Sequence, residues 1–351
     1  MCVSNALFPI NPKRILIGFT TASSTSFLPS AFDILSNIHR VPLTDAALGA
    51  HKVSPRTTHN LVNPLSNLSS INQGGLAISP LESQLLLSQV PSSQSVRDQE
   101  LAWEANYPHG SINPASKAAP PGGFGFYLSG PEWFAGQLRE VPKSPQDARP
   151  MEVMMGYEVM FEKGWEWGRG GKLPGIYGGP GDAAYGCTGG RKSDLERCTC
   201  FDLRLMWRAD GIGELYAYLP PYSPNTASIL AAPPRSMINA DYGASVGRGT
   251  WHLDVGRWIA VVQRVKMNSV GKEDGEIQVF IDGKSMLCLT GLVMRTAEYP
   301  DMRVQGLHFQ TFFGGHTAEW ASPKDQRAWF RSVSGAILRP TLEPPAGHDE
   351  L

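Results

Sequence analysis

From Glu152 to Phe313 the chain repeats one pattern: a short run of β-formers, then a turn built on glycine, proline or aspartate. The runs are "EVMMGYEVMF", "FDLRLMWR", "GELYAYLP", "RWIAVVQRVKM", "GEIQVFIDG" and "GLHFQTFF". Branched and aromatic side chains of this kind fit a pleated, half-buried surface. Asp282-Gly283 after "IQVFI" is a hairpin signal, because both residues accept the positive φ of a tight turn. No amphipathic helix separates the runs, and parallel strands would need such crossovers. The pattern therefore predicts an all-β fold, an antiparallel β-jelly roll made of a two-sheet sandwich.

Composition agrees. Charged residues are only 18% of the 351, against 37 glycines and 28 prolines, which suits strands and turns better than helices. The texture changes near residue 100. Before it, "NLVNPLSNLSSINQGG" and "SQVPSSQSVRDQ" show no sustained periodicity, and "LESQLLLSQV" is a short helix or strand at most. The expected organisation is a low-complexity arm over 1–99, partly disordered or wrapped on the core, a β-domain over 100–340 and a tail over 341–351. A net charge of −1 gives no global field for nucleic acid or membrane, so recognition must be local. A monomer is expected. No apolar run approaches membrane-spanning length.

The N-terminal "KRILIGFTTASS" is too short and too polar in its apolar part for a convincing signal peptide. Asn67-Leu68-Ser69 is a glycosylation sequon that matters only in a secreted chain. Of five cysteines, Cys198 and Cys200 are not spaced as CxxC, and no histidine stands at finger-like spacing, so no metal is expected. Cys187 and Cys200 flank the polar segment "TGGRKSDLERCT". A disulfide closing that loop, which needs an oxidising compartment, and free buried thiols are both open readings. Secretion is the expected localisation, with an intracellular chain as the alternative.

One hairpin concentrates polar chemistry. In "FDLRLMWRADGIGELYAYLP" Phe201, Leu203, Leu205 and Trp207 alternate with Asp202, Arg204, Met206 and Arg208, so the polar set shares one face. Pairing Arg208 with Glu214 across "ADGIG" sets Arg204 opposite Tyr218 and Met206 opposite Tyr216. A solvated outer face is the competing reading. Upstream, "WGRGGKLPGIYGG" frames Lys172 with glycines and Pro174. Glycine permits positive φ and close approach while proline stiffens, so the lysine is expected on a shaped rim.

The string "GGKLPGIYGG", the two cysteines after it, "RLMWR…GELYAYLP" and "GLHFQTFFGGHTAEWASPKDQRAWF" together resemble polysaccharide lyase family 14, over roughly residues 100 to 340. The resemblance implies a jelly roll with a substrate cleft on its concave sheet, and enzymes acting on polyuronates without an organic cofactor. It implies catalytic roles for Lys172, Arg204, Tyr216 and Tyr218, and supports a Cys187–Cys200 bond. Asp202 stands where the family carries serine, which puts a negative charge near an anionic sugar.

These residue types suit β-elimination from a 4-linked uronate. A base takes the C5 proton, an acid protonates the departing O4, and donors must stabilise charge on the carboxylate. Arg204 and Lys172 are expected to do the last, with Tyr216 or Tyr218 as base and acid. Asp202, Arg208, His308 and Gln310 are expected to bind substrate, with a structural histidine as the alternative for His308. Trp165, Trp167 and Trp207 read as core first and sugar platforms second. The alternative function is a non-catalytic jelly roll that holds an acidic polysaccharide.

Overall fold

Alternation along the strands sorts the side chains onto two sheets with a common core. The computed structural model describes residues 6–23, 36–64, 101–140, 151–187, 189, 194–239 and 241–340. The outer sheet runs, in spatial order, β15 (Lys284–Leu292), β14 (Gly275–Ile281), β13 (Ile259–Lys266), β7 (Glu152–Phe161), β17 (Gln326–Leu338), β1 (Ile15–Thr20) and β2 (Ile38–Arg40). β5 (Ala102–Tyr107) also pairs with β17 and carries β4 (Leu61–Val62). The second sheet, with the concave face, runs β11 (Met237–Ile238), β12 (Ala244–Val246), β10 (Gly213–Tyr218), β9 (Phe201–Arg208), β8 (Gly170–Gly178), β16 (Val304–Phe313), β6 (Phe124–Leu128) and β3 (Ala50–His51). The assigned pairings are antiparallel except that of β1 with β2.

The inward residues meet in one core. Val153, Met155, Tyr157 and Val159 of β7 pack with Phe201, Leu203, Leu205 and Trp207 of β9. Trp165 and Trp207 belong to this core and Trp167 packs against it, as their first reading expected. Asp282 and Gly283, at φ 49° and 78°, close the β14–β15 hairpin as expected.

The stretch expected as a lead-in supplies strands where it is described. β1 pairs with the C-terminal half of β17, and β3 extends the concave sheet. Leu7, Phe8 and Ile15 join Met154, Val262 and Leu338 in a second cluster on the outer face of the outer sheet. The sequon at Asn67 and the run "LESQLLLSQV" lie outside the described residues, as does the tail from 341. Among the described residues no helix is long and apolar enough to cross a membrane.

Candidate active site

The β9–β10 hairpin turns over Arg208–Ile212, closed by Arg208 N donating to Ile212 O at 2.7 Å, with Asp210 and Gly211 at φ 60° and 75°. This turn is two residues shorter, both on its β10 side, than the one inferred from sequence. Tyr216 therefore pairs with Arg204, Tyr218 with Asp202 and Glu214 with Met206. The expected pairing of Arg204 with Tyr218 was displaced by two residues. A slip of two leaves every side chain on its face and changes only its neighbours, so the alternation could not detect it.

Lys172 lies inside β8, a central strand, and not on a loop rim. Its glycines serve contact instead. A Cβ on Gly171 would fall 2.1 Å from the Trp207 ring, and one on Gly175 would fall 2.1 Å from the Leu203 carbonyl. Pro174 cannot donate to the ladder, and the registers on both sides of β8 shift around it. Buried groups of the outer sheet fill the gap. Gln263 accepts from Ile176 N at 2.7 Å and donates to Leu203 O at 2.6 Å, and the Tyr157 hydroxyl donates to Pro174 O at 3.0 Å.

Across the concave face the registers align one residue per strand. Ser245, Tyr216 and Arg204 are successive cross-strand partners, and so are Gly175, His308, Tyr127 and His51. Gly175 joins the two halves, since its backbone lies against Arg204. Without a side chain there, Arg204 and His308 reach the same carboxylate. Asp202 Oδ2 lies 3.2 Å from Arg204 Nε and 2.8 Å from His308 Nδ1. Arg204 also donates through a terminal nitrogen to Gln310 Oε1 at 2.8 Å. Asp202 is 1% exposed and His308 3%, stacked on Tyr127 at 4.3 Å, so both lie beneath the site. Burial, with Arg204 adding to it, pulls the His308 imidazole down in spite of Asp202.

Lys172 Nζ has no hydrogen-bond partner among the described residues and lies 3.1 Å from the centroid of the Tyr216 ring. Burial first, then Arg204 and Arg208, holds its amine well below the usual lysine range. Burial pushes the Tyr216 and Tyr218 phenols up. Arg204 favours phenolate in both, but burial outweighs it and both phenols stay raised.

Lys172, Arg204, Tyr216, Tyr218 and Arg208 line one open cleft of about 380 Å³. Arg208 is tied to Glu214, which is fully buried and also held by Arg248 at 2.5 Å and Ser245 at 2.7 Å. The cleft also takes in Met206, Phe312, Trp320 and Tyr242. Met206 was visible on the polar face of its strand. Trp320 and Tyr242 come from loops, which carry no periodicity. The loop after β8 is clipped to the start of β9 by a Cys187–Cys200 disulfide, the bonded alternative of the two left open.

A family model described as Polysaccharide lyase 14 matches residues 96–333. Among solved structures, the marine PL-14 alginate lyase from Aplysia kurodai is similar over 80% of this chain and 99% of its own, at 28% identity and a TM-score of 0.54. An alginate lyase from Chlorella virus is similar in fold over 68% of this chain and 86% of its own, at 23% identity and a TM-score of 0.50. No curated protein matches the chain. The family model spans the whole of the cleft hairpin and most of both sheets, and on that evidence the chain belongs to polysaccharide lyase family 14 and is a polysaccharide lyase.

Proposed function

We propose that this lyase cleaves a 4-linked polyuronate, alginate, polymannuronate or β-glucuronan, by β-elimination at Lys172, Arg204 and Tyr216. The carrying observation is a buried amine without a hydrogen-bond partner among the described residues, set on the ring of Tyr216 one strand away from Arg204. A depressed lysine is neutral over more of the pH range and can accept a proton. A raised phenol keeps its proton and can donate it. The directions of the two shifts therefore support a division of labour: Lys172 as base and Tyr216 as acid, in place of one tyrosine for both steps.

In the reaction the C5–H electrons form the C4–C5 double bond, the C4–O4 bond breaks, and O4 leaves with the phenol proton. In β-mannuronate and β-glucuronate the C5 hydrogen and O4 lie on one side of the ring. Adjacent base and acid suit that geometry. In this reading Arg204, held by Asp202 and Gln310, meets the carboxylate as its charge grows. The relative from Aplysia is an alginate lyase, which supports uronate as the substrate class. The disulfide fits an oxidising compartment.

Incubation with alginate, polymannuronate and glucuronan, followed by absorbance of the new double bond, tests the reading. Absorbance growth on at least one polymer is expected, with Lys172→Met and Tyr216→Phe both inactive. An active Lys172→Met with an inactive Tyr216→Phe returns both proton transfers to the tyrosine. No turnover of any of the three polymers overturns the substrate class.

A further inference from the structure

The row across the concave face does not stop at the reacting centre. It runs on through His308 and Tyr127 to His51 on β3. Cross-strand partners share a face, so His51 stands on the same face as Arg204. It is four strand spacings away, about 19 Å at about 4.8 Å per strand. Over this end of the row stands Tyr185, its ring 4.8 Å from that of Tyr127 and 5.9 Å from that of His51. His51 is held at both ring nitrogens, by the Tyr185 hydroxyl at 2.9 Å and the Gly49 carbonyl at 2.9 Å.

Lys52 is exposed, and its ammonium lies 4.4 Å from the centroid of the Tyr185 ring. Successive strand residues normally point to opposite faces. Lys52 takes φ 50°, the left-handed region that a lysine seldom occupies. That turn breaks the alternation and brings Lys52 to the same ring as His51. The pieces come from distant parts of the chain. His51 and Lys52 precede the family-matched segment, and Tyr185 lies two residues before the disulfide-bonded Cys187.

We infer that Tyr185 and Lys52 form a distal subsite for one uronate residue of a long substrate chain, an inference that rests on the polyuronate reading above. The ring offers a platform for the sugar face, the ammonium meets the carboxylate, and His51 fixes the ring. An ammonium on a flexible stem can leave a weak exposed ring contact for a carboxylate. A polymer lying along the row reaches this subsite, whereas a trisaccharide centred on Arg204 stops short of it.

The experiment measures kcat/KM on polymer and on trisaccharide for the wild type, Lys52→Ala, Lys52→Arg and Tyr185→Leu. The polymer-to-trisaccharide ratio should fall about fivefold through KM in Lys52→Ala, the size of a good exposed ion pair. It should fall at least as far in Tyr185→Leu and recover in Lys52→Arg. Lys52 is exposed, so its variants carry the test even if Tyr185→Leu folds poorly. An unchanged ratio in Lys52→Ala overturns the subsite. If the wild type turns over no polyuronate, the functional reading fails separately. Calorimetry of polymer binding to the wild type and Lys52→Ala then decides the subsite: weaker binding in the variant supports it, and equal binding overturns it.

Discussion

Glu152 on the outer sheet is 2% exposed, with Arg14 at 2.5 Å on one oxygen and Arg264 on the other. Arg264 continues to Glu276 at 2.8 Å, which Lys266 also holds at 3.1 Å. Lys172 on the concave sheet is 7% exposed and makes no hydrogen bond among the described residues. The two clusters respond to burial in opposite ways. Burial alone would weaken the charged forms of Arg264 and Glu276, yet their partners outweigh it, raising one and lowering the other. At Lys172 burial wins, and neighbouring arginines add to it. Buried charge that supports a fold is paired on every side. Where pairing is left incomplete, a group is poised to change its protonation state.

The largest effect expected from breaking this contrast is catalytic. Tyr216→Phe removes an ionisable group and keeps the ring, so kcat should fall at least about 100-fold, the lower range for a general acid or base. Tyr218→Phe should lose less, because the Lys172 amine lies on the ring of Tyr216, the cross-strand partner of Arg204. Near-full activity in Tyr216→Phe would reverse that assignment.

On the outer sheet the same disruption should cost stability. Glu152→Ala leaves Arg264 and Arg14 short of a partner, at a cost of about 3–5 kcal/mol. Thermal unfolding should show a drop in Tm of about 10 °C, at about 2–4 °C per kcal/mol. Activity per folded molecule should be kept. A small change in Tm would mean that the outer cluster is no more essential than a surface pair.

Beside the Glu214 cluster, a covalent link ties the concave side. Cys187→Ser should destabilise by about 3 kcal/mol, the usual order for a closed loop of this length. Denaturant titration with and without reductant gives the check. Equal midpoints in both conditions would remove the tether from the account.

Asp202→Ser installs the residue that the family resemblance expects and takes a negative charge away from an anionic sugar, which by itself would favour activity. The contacts of Asp202 with Arg204 and His308 point the other way. Serine cannot hold both groups, so kcat should fall about tenfold, equivalent to about 1.4 kcal/mol. Unchanged kcat would mean that Gln310 alone orients Arg204.

The smallest expected effect is a gain. The folded state lowers the pKa of Lys172, so the unfolded chain binds that proton more readily and stability rises with pH toward the free-lysine value near about 10.4. Lys172→Met removes this cost. Its Tm should exceed that of the wild type by about 2–4 °C at neutral pH if the cost is about 1 kcal/mol. The gain should fade as pH approaches about 10. Activity in the wild type should rise with pH as Lys172 loses its proton. A variant less stable than the wild type at pH 7 would contradict the burial argument.

Much of the site was legible because a strand's period is two. Asp202, Arg204, Tyr216 and Tyr218 were set on one face by alternation alone, and His308 and Gln310 by the same rule. Lys172 was singled out by its glycines, although the reason given was wrong: Gly171 and Gly175 make room for Trp207 and Leu203 and do not shape a rim. Trp320 and Tyr242 left no trace, since loops place side chains by their ends and not by a repeat. His51 and Lys52 were hidden in a stretch whose composition resembles a linker.

The amino-acid order by itself determined the fold class, the face of each strand residue and the short list of chemistry-bearing side chains. These follow from local sterics and from a repeat that any single strand obeys. Only the tertiary structure decided the register of the β9–β10 hairpin, because a slip of two residues preserves every face. It also decided that β8 lies at the centre of the sheet, that Asp202 meets His308, and that His51 ends the same row as Arg204. Each of those depends on contacts between segments far apart in the chain, which no local pattern encodes.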